Sequence, residues 1–189
     1  ELEIKKVLER IARKNVETLI AALALARKRL PELSLVVAGR EDSAAPRAMV
    51  QALYLEHAVR FLGEVSDAEL ASLYAGSAVV AQPAWEEGFC LPAMEAAALG
   101  RPVVISRAAG VSEVLADTPW YVEPGNAVAI ASALVIAAEA GGDPARRARL
   151  EAGERAALAW TWERPASRLI DVYQKTLGRA RTTRSRGAA

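Results

Sequence analysis

The sequence predicts an α/β protein built on a single open parallel sheet that is flanked by helices. Short apolar runs alternate with segments of helical periodicity between residues 15 and 122, as is typical of parallel βαβ units with right-handed crossovers. Three further helical segments follow Pro124 and Gly125. Because ligands of such sheets bind at the carboxyl ends of the strands, we expect the functional site at that edge.

Each predicted strand is a short apolar run that ends at a glycine, a proline or a polar residue. The first, from Leu33 to Ala38, is almost continuously apolar and stops at Gly39, so we predict that it is buried on both faces. The other four strands are Val59 to Leu62, Ala78 to Ala81, Pro102 to Ile105 and Trp120 to Val122.

The predicted helices begin and end at residues that favour helix termini. Ser66 and Glu69 have the spacing of a capping box, and Pro92 lies at a first helical position of a helix that stops at Gly100. The predicted helices span about Asn15 to Leu30, Ala45 to Leu55, Ser66 to Tyr74, Leu91 to Leu99, Ala127 to Ala140, Pro144 to Ala159 and Trp162 to Leu177.

Composition excludes several classes of protein. The 189 residues are 52% apolar and 25% charged, and 24 basic against 23 acidic side chains leave a net charge of +1. This balance argues against a general nucleic-acid or membrane-surface binder. One cysteine excludes an internal disulfide, and one histidine argues against a histidine-centred metal site. No apolar run approaches the roughly 20 residues of a membrane span, so we expect a soluble, cytoplasmic protein.

The most informative stretch runs from Gln82 to Ala96, between a predicted strand and a helix. Gly88 lets the backbone approach a ligand closely, and the next three N–H groups can form an anion site with the helix start. Those three residues are Phe89, Cys90 and Leu91. The carboxylates of Glu87 and Glu95 bracket this site. Because carboxylates accept hydrogen bonds from hydroxyls, the combination suits a sugar nucleotide, which has both phosphates and hydroxyls. The spacing alone is equally compatible with an ordinary strand–loop–helix junction whose glutamates are simply solvated.

Glu87 and Glu95 flank the segment GFCLPAM. Together they resemble the paired-glutamate motif of retaining GT-B glycosyltransferases of the glycosyl transferases group 1 type. Other segments match the motifs of that family in the right order: RKN at 13–15, the strand at 33–39, residues 59–73, GRPVV at 100–104 and AGVSE at 109–113. The resemblance covers roughly residues 7 to 177. It implies one Rossmann-like half of a GT-B fold over residues 1–177. The tail at 178–189 is polar, basic and without periodicity, so we predict that it is disordered.

The resemblance implies a catalytic role for three residues. Lys14, with Arg10 or the neighbouring Arg13, would neutralise the leaving diphosphate, and Glu87 would contact the hydroxyls of the donor sugar. Such a cationic clamp does the work that a divalent metal does elsewhere, so we expect neither a metal nor another cofactor.

The resemblance also implies a donor-binding set around the helix start. Glu95 would bind the ribose hydroxyls, and the backbone N–H groups of Phe89 and Cys90 would assist Glu87 at the sugar. The diphosphate would lie at Leu91 and the helix start. We expect base selectivity to depend on backbone and loop contacts near Gly39 and near Gly63 to Val65. The set comprises Arg13, Gly39, Gly88, Phe89, Cys90, Leu91 and Glu95.

Several positions depart from the family pattern. Cys90 stands where the family has its third glycine, and we interpret it as a packed small side chain rather than a reactive thiol. Ala84 replaces a serine and Glu9 a common glycine, while Arg10 lies one residue closer to Lys14 than is usual. The first strand of the domain, near residues 4–8, is predicted to be altered or truncated.

The predicted function is donor binding in a retaining hexosyltransferase that moves a hexose from UDP-glucose or GDP-mannose to a hydroxyl acceptor. A faint likeness to sucrose-phosphate synthases favours UDP-glucose. The acceptor domain would precede this one, so we expect the chain alone to be inactive. Two alternatives stay open: a non-catalytic nucleotide-binding module that requires a partner chain, and a sugar-nucleotide epimerase of GT-B fold.

The expected partners follow from the same interpretation. They are a nucleoside-diphosphate sugar and an N-terminal acceptor domain or partner chain, without nucleic acid. A homodimer and peripheral membrane association of the full enzyme are left open.

Overall fold

The structure, a computed structural model, describes residues 14–39, 44–107 and 110–186, with side chains as far as Leu177. Arg10, Arg13 and the predicted first strand lie outside the described residues. The chain divides into two compact units, of which the first ends at Ala157 and the second begins at Leu158.

Helices and strands alternate through the first unit, as the sequence predicts. The strands are β1 Leu35–Ala38, β2 Val59–Gly63, β3 Val80–Gln82, β4 Val103–Ser106 and β5 Trp120–Val122. The helices are α1 Val16–Ala26, α2 Ala45–Ala52, α3 Asp67–Gly76, α4 Leu91–Ala98, α5 Ser112–Leu115, α6 Ala127–Ala138, α7 Pro144–Leu158 and α8 Glu163–Arg186, with a 3₁₀ turn at Ala140–Gly142.

All described strand pairs are parallel, which confirms the predicted α/β class. The strands form two hydrogen-bonded groups in the described ranges, β1-β2 and β3-β4-β5, where the sequence predicts one continuous sheet. Leu35 lies opposite Val59 in the first group, and Val80 lies opposite Val103 in the second. Within each group the carboxyl ends of the strands meet at one edge, because the strands run in the same direction.

Helix α1 joins the two groups of strands through two adjacent faces of its surface. Leu19, Ala22 and Ala26 pack with β4, β5 and α6 in one buried cluster. Ile20 and Leu23 pack in a second cluster with residues of α2 and β2. Burying one such aliphatic side chain contributes about 1.5–3 kcal/mol, so α1 is fixed from both sides, and its first residue has a defined position.

Two local predictions differ from the structure. In β1, Leu35, Val36 and Val37 are half-buried and Ala38 is exposed, so burial on both faces is wrong; β1 pairs with one strand, β2, in the described part. Helix α8 continues to Arg186, although the sequence predicts a disordered tail from Gly178. One glycine costs a helix only about 1 kcal/mol, and the arginines and alanine beyond it favour helix.

Helix α3 confirms the predicted capping box. The Ser66 hydroxyl accepts a hydrogen bond from the Glu69 N–H, and the Glu69 carboxylate accepts one from the Ser66 N–H at 2.8 Å.

None of the described helices combines the length and hydropathy that a bilayer crossing requires.

Candidate functional site

Lys14 and Glu87, two of the three predicted catalytic residues, form an ion pair. The Lys14 Nζ lies 2.5 Å from a Glu87 carboxylate oxygen, and the two residues are 73 positions apart in the chain. The Lys14 side chain is 43% exposed and that of Glu87 is 13% exposed. The fold thus brings a cation from the start of α1 to a carboxylate in the loop after β3, and the lysine side chain stays partly exposed to solvent.

Asn15 holds this arrangement in place. Its residue is only 3% exposed, and its side-chain amide donates to the Pro83 carbonyl at 2.8 Å and to the Pro124 carbonyl at 2.6 Å. Its backbone adopts a left-handed conformation with φ of 58°, which asparagine tolerates better than most residues. Asn15 therefore joins the start of α1 to the segments that follow β3 and β5, directly beside Lys14.

The sequence analysis missed the role of Asn15. The sequence indicates Asn15 only as part of the RKN segment and as the start of a helix, because its two carbonyl partners are 68 and 109 positions away. The RKN likeness was the one available signal, since it places an amide directly after the clamp lysine.

The loop that carries Gly88 and Phe89 is paired with the segment before α5. The Gly110 N–H donates to the Gly88 carbonyl at 2.7 Å, and the Val111 N–H donates to the Phe89 carbonyl at 3.0 Å. A Cβ atom at Gly110 would lie 2.7 Å from the Gly88 carbonyl oxygen, so glycine is required there. The AGVSE segment thus supports the loop that precedes α4.

Cys90 forms the N-cap of α4 in a left-handed conformation, with φ of 71°. It is 3% exposed, and burial is the main cause that raises the pKa of its thiol to about 11. The thiol is therefore neutral at physiological pH, which supports the interpretation as a packed side chain. Leu91, at the first position of α4, is 45% exposed. Anion binding by the N–H groups at this helix start stays a prediction.

Glu95 lies one turn into α4 and is exposed. The hydroxyl of Tyr74, in the last turn of α3, interacts electrostatically with this carboxylate. Burial and the negative charge of Glu95 raise the pKa of the Tyr74 hydroxyl far above its ordinary value. The two motif glutamates therefore have different surroundings, since Glu87 is paired with a cation and Glu95 is an exposed carboxylate on α4.

A further predicted donor-binding residue directly follows β1. Gly39, at the end of β1 with φ of 120°, donates its N–H to the Gly63 carbonyl at 2.7 Å, and this bond does not connect it to the Lys14–Glu87 pair. Within ranges 14–39, 44–107 and 110–186, no group of three or more histidine, cysteine, aspartate or glutamate side chains is arranged to hold a metal ion.

Comparison with known proteins gives the family. Residues 6–174 match the model described as Glycosyl transferases group 1. The chain belongs to this family. The predicted resemblance to GT-B glycosyltransferases is confirmed.

Three similar proteins show the extent of the match. The O-antigen chain mannosyltransferase B of Escherichia coli is 30% identical over 166 residues, which are 86% of this chain and 43% of that protein. Sucrose-phosphate synthase from Thermosynechococcus elongatus aligns with a TM-score of 0.69 and 31% identity, over 88% of this chain and 43% of that structure. The C-terminal domain of a group 1 glycosyl transferase from Francisella tularensis aligns with a TM-score of 0.65 and 25% identity, over 77% of this chain and 78% of that domain.

The chain therefore spans less than half the length of these two full-length proteins. The same segment covers most of the isolated C-terminal domain.

The backbone of Cys90 gives the first prediction. At φ of 71° a side chain costs about 1 kcal/mol relative to glycine, so Cys90→Gly is expected to be more stable than Cys90→Ala by about that amount. Both variants lose the thiol, so the difference between them isolates the backbone conformation. Urea denaturation of the two variants checks it, and equal midpoints at equal slopes would contradict the left-handed N-cap.

Proposed function

We propose that this chain is the nucleotide-sugar-binding domain of a retaining hexosyltransferase, which transfers a hexose from a nucleoside diphosphate to a hydroxyl acceptor. The observation that carries the proposal is the Lys14–Glu87 pair beside the start of α4. A solvent-accessible cation, a helix N-terminus and two motif carboxylates are the groups that a diphosphate joined to two polyhydroxyl rings requires. Family membership supports the transfer chemistry.

Lys14 is proposed to change partner when the donor binds. A diphosphate carries more negative charge than one carboxylate, so it competes with Glu87 for the ammonium group. Glu87 is then released to accept hydrogen bonds from the sugar hydroxyls. As the bond between the anomeric carbon and the diphosphate oxygen breaks, negative charge grows on the leaving group, and Lys14 and the α4 N-terminus stabilise it. In this proposal the positive charge comes from protein groups, and no divalent metal is needed.

The donor is proposed to be UDP-glucose or GDP-mannose. The similarity to a sucrose-phosphate synthase favours the first, and the similarity to a mannosyltransferase supports the second. Selection between the two bases is assigned to the turns that end β1 and β2. Gly39 and Gly63 both have positive φ there and are hydrogen-bonded to each other.

The carboxylate of Glu95 tests the proposal. Glu95→Ala is expected to weaken binding of UDP or GDP by about 1.5–3 kcal/mol, the scale of hydrogen bonds to a charged group. Isothermal titration calorimetry of the 189-residue chain measures the affinity for both nucleotides. The matched control is Glu151→Ala, which removes an exposed carboxylate from α7 and should leave the affinity unchanged. Equal affinities of a folded Glu95→Ala variant and the unchanged chain would refute the role of Glu95.

We further propose that the chain alone binds the donor without transferring its sugar. Transfer requires an acceptor hydroxyl held within about 3.5 Å of the anomeric carbon, and a site that closes to exclude water. The measurement is incubation with labelled UDP-glucose or GDP-mannose and a mixed pool of hydroxyl acceptors. We expect no product beyond the rate without protein, and multiple-turnover transfer would contradict this part of the proposal.

A further inference from the structure

Trp85 exposes an aromatic ring in the same loop that carries Glu87. The residue is 51% exposed, although tryptophan is highly buried on average in folded proteins. The tip of its six-membered ring lies against Gly125, where an added Cβ atom would be 2.8 Å from Cη2, 3.6 Å from Cζ3 and 3.8 Å from Cζ2. This contact seats the tip of the ring, and about half of the residue stays accessible to a ligand.

The chain is held in place on both sides of Trp85. Two residues earlier, the Pro83 carbonyl accepts a hydrogen bond from the Asn15 amide at 2.8 Å. Two residues later, the Glu87 carboxylate is paired with Lys14. The same amide group also holds the carbonyl that directly precedes the glycine under the indole. The ring is therefore positioned before a ligand arrives, so less conformational entropy is lost when the ligand binds.

Trp85 and Glu87 are close enough to contact one sugar ring. Two residues along a chain span at most about 7 Å between their Cα atoms. A pyranose has hydroxyls around its edge and C–H groups on its faces. A carboxylate suits the hydroxyls as an acceptor, whereas the electron-rich face of an indole attracts the weakly positive C–H groups. The two side chains thus offer complementary chemistry for the edge and the face of one hexose.

We propose that Trp85 binds the hexose of the donor by packing its indole face against the C–H groups of the pyranose ring. This inference rests on the proposed function and deepens it, because it names a residue that recognises the sugar and not the nucleotide. Along the chain Trp85 precedes Glu87, whereas the start of α4, to which the diphosphate is assigned, follows it. The indole therefore contributes to the affinity for a nucleotide sugar and not to the affinity for the nucleotide alone.

The test compares each nucleotide with its nucleotide sugar. Calorimetry measures the affinities of the 189-residue chain for UDP, UDP-glucose, GDP and GDP-mannose. The readout is the ratio of the nucleotide-sugar affinity to the affinity for the matching nucleotide. Trp85→Ala is expected to lower this ratio roughly three- to tenfold, the scale of one aromatic contact, while the affinity for UDP or GDP stays unchanged. Trp85→Phe keeps an aromatic face and should retain most of the ratio.

A merely structural role of Trp85 would lower both affinities together and leave the ratio unchanged. Trp85→Leu, which keeps an apolar side chain without a ring, should reproduce the loss and serves if the alanine variant does not fold. Trp162→Ala is the matched control, because Trp162 is 63% exposed and belongs to the second compact unit. Its ratio should equal that of the unchanged chain.

The outcomes separate this inference from the proposed function. If the unchanged chain binds neither UDP nor GDP, the proposed function fails and the inference fails with it. If the chain binds a nucleotide but the folded variants without a ring keep the full ratio, the inference alone is overturned. The same holds if Trp85→Phe loses the ratio as fully as Trp85→Ala. A ratio that falls without the ring, persists in Trp85→Phe and is unchanged in Trp162→Ala supports the inference.

Discussion

The candidate site depends first on the side-chain amide of Asn15. One buried NH₂ group donates to two backbone carbonyls from distant parts of the chain, Pro83 after β3 and Pro124 after β5. A buried carbonyl without a donor costs about 1–3 kcal/mol, so these bonds constrain three segments together. Because Lys14 directly precedes Asn15, the position of the cation in the site follows from that of the amide.

Two close contacts between loops further restrict the positions of the segments around the candidate site. The Trp85 indole lies over Gly125, where an added Cβ would come within 2.8 Å of the ring, and this contact joins the same two loops that Asn15 joins. The hydrogen bond from the Gly110 N–H to the Gly88 carbonyl also positions the loop after β3. Gly110 is therefore required by packing against backbone, whereas at Gly125 the neighbour is the tip of the exposed Trp85 side chain. Between these contacts the chain carries Glu87 to the ammonium group of Lys14 and leads into α4.

The sequence predicted the parts of the structure that local patterns determine. The alternation of strands and helices, the capping box of α3 and the helix that begins after Cys90 all follow from periodicity and end signals within a few residues. The two carboxylates of the site were predicted from the 15-residue segment Gln82 to Ala96. The same segment places Glu87 in the loop after β3. The family resemblance assigned Glu87 and Lys14 to one site, but the ion pair between them was not predicted.

Contacts between distant segments were beyond the reach of such patterns. Neither the two carbonyl partners of Asn15 nor the ion pair of Lys14 with Glu87 has a local signature, because each joins elements that meet only in the folded chain. The half-buried face of β1 depends on which strands lie beside it, and not on its own apolar run. The continuation of α8 past Gly178 shows that a glycine and several charges do not end a helix whose other residues favour it.

The most direct test of this account is the free energy of unfolding of Asn15→Asp, measured by urea denaturation at pH 7. Aspartate keeps the shape and the tolerance for a left-handed backbone, but it presents a carboxylate instead of an NH₂ group to the carbonyls of Pro83 and Pro124. Losing both donors and burying a charge against two acceptors predicts a destabilisation of about 2–4 kcal/mol. A variant within about 0.5 kcal/mol of the unchanged chain, the range of ordinary surface substitutions, would contradict the claim that this amide holds the site together.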